Sequence, residues 1–124
     1  MNHLNFFINN FIKKDKKQRY HFLINGKWPK FANNIKHIDK HLNHHCVKID
    51  NNAFEKFTQI IKHYTIKSGY YYDAYTNGLE ISTHCLNNIH DDSLLICPDN
   101  NIAFYFHHDN WIWFCQIKLE QHHK

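Results

Sequence analysis

Thirteen of the 124 residues are histidine, and several stand at spacings that could do chemistry. His37 and His41 are four apart in an apolar-periodic stretch, the interval that lets two imidazoles on one helical face share a metal ion. His44, His45 and Cys46 follow closely. A zinc site also needs a third and fourth ligand in fixed geometry, and no HExxH, no CxxC and no HxH with a carboxylate supplies them. No metal and no cofactor are therefore expected. His90-Asp91-Asp92 and His107-His108-Asp109 resemble fragments of acid–base machinery, since an imidazole beside carboxylates moves protons near neutral pH. Both fall in polar, turn-like sequence. Two histidines and a lysine would suffice for a metal-independent ribonuclease, which makes a small His-dependent ribonuclease the enzymatic alternative. The chain contains no Ser-His-Asp set, phosphate-cradling Gly-rich loop or nucleotide fingerprint, and it has only three glycines from which to build one. No catalysis is expected.

Charge is unevenly placed. Residues 1–69 carry thirteen Lys and Arg against four acids, a balance of +9, whereas residues 70–124 carry two Lys against seven acids, a balance of −5. Lys13, Lys14, Lys16, Lys17 and Arg19 form a basic run that could meet phosphates, but the aromatic interleaving of nucleic-acid modules is missing. A nucleic-acid-binding module thus ranks with the ribonuclease as an alternative, and direct nucleic-acid contact is not expected. Hydrophobic residues make up 43% and aromatics 16%, enough for one packed core, so the mean hydropathy of −0.66 reflects abundant Asn, Lys and His rather than disorder. An AT-rich genome over-supplies Asn and Lys, which discounts Asn and His as functional signals. No run of about eighteen apolar residues could span a membrane, and the start lacks the pattern of a secretory signal. A cytoplasmic protein with reduced thiols is expected, because Cys46, Cys85, Cys97 and Cys115 stand singly.

These residues must be positioned by elements that periodicity predicts. Leu4, Phe7, Ile8, Phe11 and Ile12 make one stripe of a helix over about 5–14. Asp15 and Gln18 have capping-box spacing for a second helix ending at Asn25-Gly26, and the two could also be one bent helix. Pro29 opens a third helix through about Leu42, with Phe31, Ile35, Ile38 and Leu42 inward. Asn51 or Asn52 with Glu55 opens a fourth, stopped at Ser68-Gly69. The period then changes to two. Tyr70–Tyr75 and Leu79–Ser82 read as a hairpin turning at Asn77-Gly78, Thr83–Asn88 as a single helical turn, and Leu94–Ile117 as a three-stranded meander. In the last strand Trp111, Trp113, Cys115 and Ile117 alternate with Ile112 and Phe114, so it is either central and covered on both faces or offers its second face to a partner. Trp111 and Trp113 are predicted to be at least half buried. The predicted architecture is α+β: a single domain over 1–124, with three to four helices from about 1–69 on one face of an antiparallel sheet of about five strands from about 70–117, and a short tail at 118–124.

The run Phe11-Ile12-Lys13-Lys14 through Arg19-Tyr20, then Lys30-Phe31, Lys36-His37, a Tyr-rich strand, Asn77-Gly78, Cys97-Pro98 and Ala103-Phe104-Tyr105, resembles small immunity proteins of bacterial polymorphic-toxin systems, including contact-dependent growth inhibition loci. The resemblance spans most of residues 11–115. It implies a cytoplasmic inhibitor that binds one cognate toxin domain, often a nuclease, one to one and without catalysis or membrane attachment. Such families share no catalytic motif, so no residue role carries over by position. Inhibitors of basic nucleases tend to be acidic, whereas this chain is +4 overall; the −5 of the second half restores the logic locally. Against a basic toxin, Asp91, Asp92, Asp99 and Asp109 would supply steering and rim contacts, and Tyr71 or Tyr75 a buried anchor.

Overall fold

The amphipathic stripe of the first helix meets its partner surface in the computed structural model, which describes residues 3–25, 28–84, 86 and 89–117. Helices α1 (Leu4–Phe11), α2 (Lys17–Ile24) and α3 (Trp28–Asn34) come first, and α4 (Ala53–His63) follows a short strand. The strands are β1 (Cys46–Ile49), β2 (Ser68–Asp73), β3 (Thr76–Ser82), β4 (Ser93–Cys97), β5 (Ile102–Phe106) and β6 (Ile112–Gln116). All pairings are antiparallel in the order β1-β6-β5-β4-β2-β3. The fold is thus α+β, with helices N-terminal and the sheet C-terminal. Among the described residues no helix is long and apolar enough to cross a membrane.

Every residue of β4 and β5 is buried, and the alternate rows go to different cores. Leu94, Ile96, Ala103, Tyr105 and Cys115 pack with Leu4, Phe7 and Phe31 of the first three helices and with Ile38 in the 3-10 helix that follows them. Leu95, Cys97, Ile102, Phe104 and Phe106 pack instead with Ala53 and Phe57 of α4. Three helical elements therefore share one face as expected, but α4, expected on that face too, covers the other, because Phe57 packs on the row of Phe104 and Phe106. This answers the question posed by the two-sided last strand: it is covered on both faces. Trp111 and Trp113 are both mostly buried, although Trp111 precedes β6 rather than lying in it.

Several local signals resolve differently from their sequence reading. The sheet gains a sixth strand because Cys46–Ile49, within the helical half, pairs with β6 from Cys46↔Cys115 to Ile49↔Ile112. Four residues have little strand signal of their own; β6 supplies the template. Helix α1 stops at Phe11 because Ile12 turns extended to bridge Leu42, so the first two helices are separate. Asp15 lies in a 3-10 turn, and α2 begins at Lys17 with no side-chain cap, so the capping box does not form. Beyond Asn34 the third helix tightens to a 3-10 helix over Ile35–His41. At three residues per turn, residues four apart point about a third of a turn away from each other, which takes His37 off the face of His41. His41 instead places Nδ1 2.8 Å from the Tyr20 hydroxyl.

The hairpin turns at Ala74-Tyr75, with Asp73 Oδ1 accepting the Tyr75 N–H at 2.8 Å. Asn77-Gly78 lies inside β3, where the register slips between Tyr71 and Tyr72 and Gly78 takes φ +87°. It is a bulge, and a Cβ on Gly78 would sit 3.0 Å from the Tyr72 hydroxyl oxygen. Gly69 is not a helix stop but a strand residue whose Cβ would come within 2.8 Å of Leu95 Cδ1. The stop is Thr65 at φ +51°, with its N–H bonded to Lys62 C=O at 3.2 Å and the Ile66 N–H to Ile61 C=O at 3.0 Å. The Gly26 stop, part of the turn proposed at 83–88 and the tail at 118–124 lie outside the described residues.

A β-branched residue is strained in the left-handed region, and the exposed Thr65 side chain returns little packing. Thr65→Gly should therefore stabilise the protein by about 0.5–1 kcal/mol, after the greater freedom of glycine in the unfolded chain is subtracted. An unchanged or lower urea midpoint would contradict that assignment.

Candidate functional site

Antiparallel pairing brings one set of turns to one end of the sheet. The β2–β3 turn, the start of β4, the β5–β6 turn, the end of β1 and the first turn of α4 all meet there, because Tyr72↔Leu94, Ser93↔Phe106, Phe106↔Ile112 and Ile49↔Ile112 are paired. The chain reverses on residues suited to positive φ: Asn52 at 51°, Asp92 at 59° and Asn110 at 66°. Asp92 N–H donates to Phe106 C=O, and His107 N–H to Trp111 C=O at 2.9 Å, which closes the β5–β6 turn.

His107 is the buried pivot of this end. Its Nδ1 accepts the Asp109 backbone N–H at 3.0 Å, so a neutral ring carries its proton on Nε2. That nitrogen faces Asp39 Oδ2 at 3.7 Å, an electrostatic contact beyond hydrogen-bond range. The ring stacks on His108 at 4.0 Å and on Trp111 at 4.8 Å, and Lys48 Nζ lies 3.4 Å over the Trp111 ring. His108 Nδ1 is 2.8 Å from Asp92 Oδ1, with the Tyr105 hydroxyl 3.5 Å from the same oxygen. Burial, reinforced by Asp92 and Asp39, pushes the Tyr105 phenol well above its usual range, so it remains a donor.

Donor atoms of His107, His108 and Asp109 lie within 4.8 Å of one another. Asp109 Oδ2 is 3.6 Å from His107 Nδ1 and 4.0 Å from His108 Nε2, wider than the roughly 3.3 Å edge of a zinc tetrahedron with 2.0–2.1 Å bonds. His107 Nδ1 is also already engaged, and the two rings stack rather than converge. As arranged, the group is an aromatic and hydrogen-bonded brace for the turn.

The hydrogen bond to Asp92 raises the His108 pKa above its ordinary value, with the charges of Asp92, Asp109 and Asp39 adding to it. A raised folded value means that stabilisation is fully present below the unfolded value of about 6.5 and is lost as pH rises through the folded value. His108→Gln should accordingly lower stability near pH 5.5 and leave it nearly unchanged near pH 9. Equal losses at both pH values, in urea unfolding, would remove the charge-based account.

Beside His107 opens a cleft of about 760 Å³, walled by Phe54, Phe106 and Trp111 and edged by Asp50, Glu55 and Asp91. The three acids are exposed, and Phe54 is 54% exposed. Of the expected interface residues, Asp91, Asp92, Asp109 and Tyr75 come to this end. Asp91 and Asp109 are exposed, the Asp109 carboxylate lying beside the His107 and His108 rings, and Tyr75, 95% exposed, tips the β2–β3 hairpin. Asp92 is mostly committed to His108 and Tyr105. Asp99 sits in the β4–β5 connection at the opposite end. Tyr71 is buried, its hydroxyl accepting the His90 N–H at 2.8 Å, so it cannot anchor a partner without leaving the core. Sequence reasoning missed Asp50, Phe54 and Glu55. Phe54 and Glu55 stand in the first turn of α4 and Asp50 just before it; Glu55 reads there as a capping residue, and Phe54, in phase with Phe57, Ile60, Ile61 and Tyr64, reads from the sequence as inward.

No protein-family model, curated protein or solved structure matches the chain.

Proposed function

We propose that the chain is an immunity-type inhibitor that binds one basic toxin domain, one to one, through the acidic end of its sheet, and that it acts in the cytoplasm. The observation that carries this reading is the gathering of the exposed carboxylates of Asp50, Glu55, Asp91 and Asp109 at one end, beside the exposed rings of Phe54 and Tyr75. Carboxylates at a rim steer a basic partner, and amphipathic aromatics provide area that can be desolvated on contact. The resemblance to toxin-immunity proteins and the charge split along the chain point the same way.

The same cleft argues against the ribonuclease alternative. Among the described residues no lysine or arginine lines it, and its acids would repel the phosphates that a nuclease must hold. His90 and His107 border it, but His107 is only 6% exposed and already hydrogen-bonded.

The test is co-expression with a toxin domain encoded immediately upstream. Restored growth together with a one-to-one complex on size exclusion supports the proposal. A toxin that still kills, or that does not co-purify, leaves a generic interaction domain in its place.

A further inference from the structure

Strand β1 is the outer strand on its side of the sheet, and β6 is its one strand partner among the described residues. Within that pair Cys46 stands directly opposite Cys115. The adjacent pair, His45 and Gln116, is hydrogen-bonded, with the Gln116 N–H on His45 C=O at 3.2 Å. The alternation of an antiparallel ladder makes Cys46/Cys115 a non-hydrogen-bonded pair, where Cα atoms approach to about 4.5 Å and side chains are closest. That separation lies inside the roughly 4.4–6.8 Å range a disulfide spans. Both side chains face the core beneath α1–α3, where the Cys46 thiol lies 3.8 Å from the Phe11 C=O and 3.9 Å from Asn43 Oδ1. Cys46 is partly exposed, which gives an oxidant a way in, while Cys115 is wholly buried.

We propose that Cys46 and Cys115 form an oxidation site, closed to an intramolecular disulfide by a hydroperoxide, that staples the outer strand to the sheet. Cys46 sulfur attacks a peroxide oxygen, the O–O bond breaks, and one water leaves as Cys46 becomes a sulfenic acid. Cys115 sulfur then attacks Cys46 sulfur; the S–O bond breaks and the hydroxyl leaves as a second water with the Cys115 proton. Two thiols and one hydrogen peroxide thus yield one disulfide and two waters. Burial holds the Cys115 thiol protonated well above its usual range, which assigns the first attack to Cys46. The closed link constrains the unfolded chain between two residues far apart in sequence and fixes the strand that carries Lys48 to its place over Trp111.

The test uses the full chain, reduced and then exposed to a small excess of hydrogen peroxide. The expected result is a mass loss of about 2 Da and a Cys46–Cys115 cross-linked peptide on non-reducing digestion. Two of the four cysteines should remain titratable after denaturation. The unfolding midpoint should rise by roughly 5 °C or more, reversed by dithiothreitol. Cys46→Ser, at the more exposed position, should abolish the cross-link and the shift while leaving the circular dichroism spectrum unchanged. Four titratable thiols after treatment, a Cys46 that stops at sulfinic acid, or a link to Cys85 or Cys97 would each overturn the proposal.

Discussion

Phe57→Ala is expected to lower the unfolding free energy by about 3–5 kcal/mol, a third or more of what a domain of this size has. Phe57 is fully buried and packs edge-on against Phe104 at 4.7 Å and Phe106 at 5.2 Å, so its ring joins α4 to the middle of the sheet. Truncation loses the transfer free energy of the ring, the two edge-to-face contacts and, because β5 is held on both flanks, leaves a cavity that the sheet cannot collapse into. Phe54, one turn earlier and 54% exposed, is the matched control and should cost less than about 1 kcal/mol. Phe7→Ala, on the opposite face, should cost as much as Phe57→Ala and add to it nearly independently, since the two rings belong to separate cores. Urea unfolding of the four proteins decides the matter. If Phe54 and Phe57 cost the same, α4 does not cover the second face.

Joint reversal of Asp91→Lys and Asp109→Lys should slow association with a basic toxin domain about tenfold or more at low salt, and much less at high salt, where a Debye length of a few ångströms screens the rim. Both side chains are exposed, and the hydrogen bond of Asp109 to His107 uses its backbone N–H; the reversal removes the carboxylate's contacts with His107 and His108, so a circular dichroism spectrum and a urea midpoint accompany the rate measurement. Asp99→Lys, a single reversal at the far end of the sheet, should leave the rate almost unaltered, whereas either Asp91→Lys or Asp109→Lys alone should slow it. Tyr75→Ala should act differently. Removing an anchor that is buried in the complex raises the dissociation rate, and a loss of about 2 kcal/mol would weaken binding roughly thirtyfold. Surface-plasmon measurements at two salt concentrations separate these outcomes. Equal effects from Asp91/Asp109 and from Asp99 would remove the acidic end as the binding surface.

The sequence by itself determined those features that rest on local period and composition. The stripe Leu4, Phe7, Ile8 and Phe11 could be read because a helix returns each side chain to one face every three to four residues. The meander of β4, β5 and β6 could be read from short apolar runs between turn residues, and the two-sided pattern of β6 because a strand with no polar row has no face to give to water. Tertiary structure decided the rest. Cys46–Ile49 is a strand only because β6 offers it an edge, and Asn77-Gly78 is a bulge only because the turn closes two residues earlier on Asp73. It also decided which acids act together. Antiparallel neighbours bring the start of one strand to the end of the next, so Asp91 and Asp109, far apart in the chain, reach the same end beside Asp50 and Glu55. Asp99 is closer to Asp91 in sequence, but β4 lies between them, and five extended residues at about 3.4 Å each carry it roughly 17 Å to the other end.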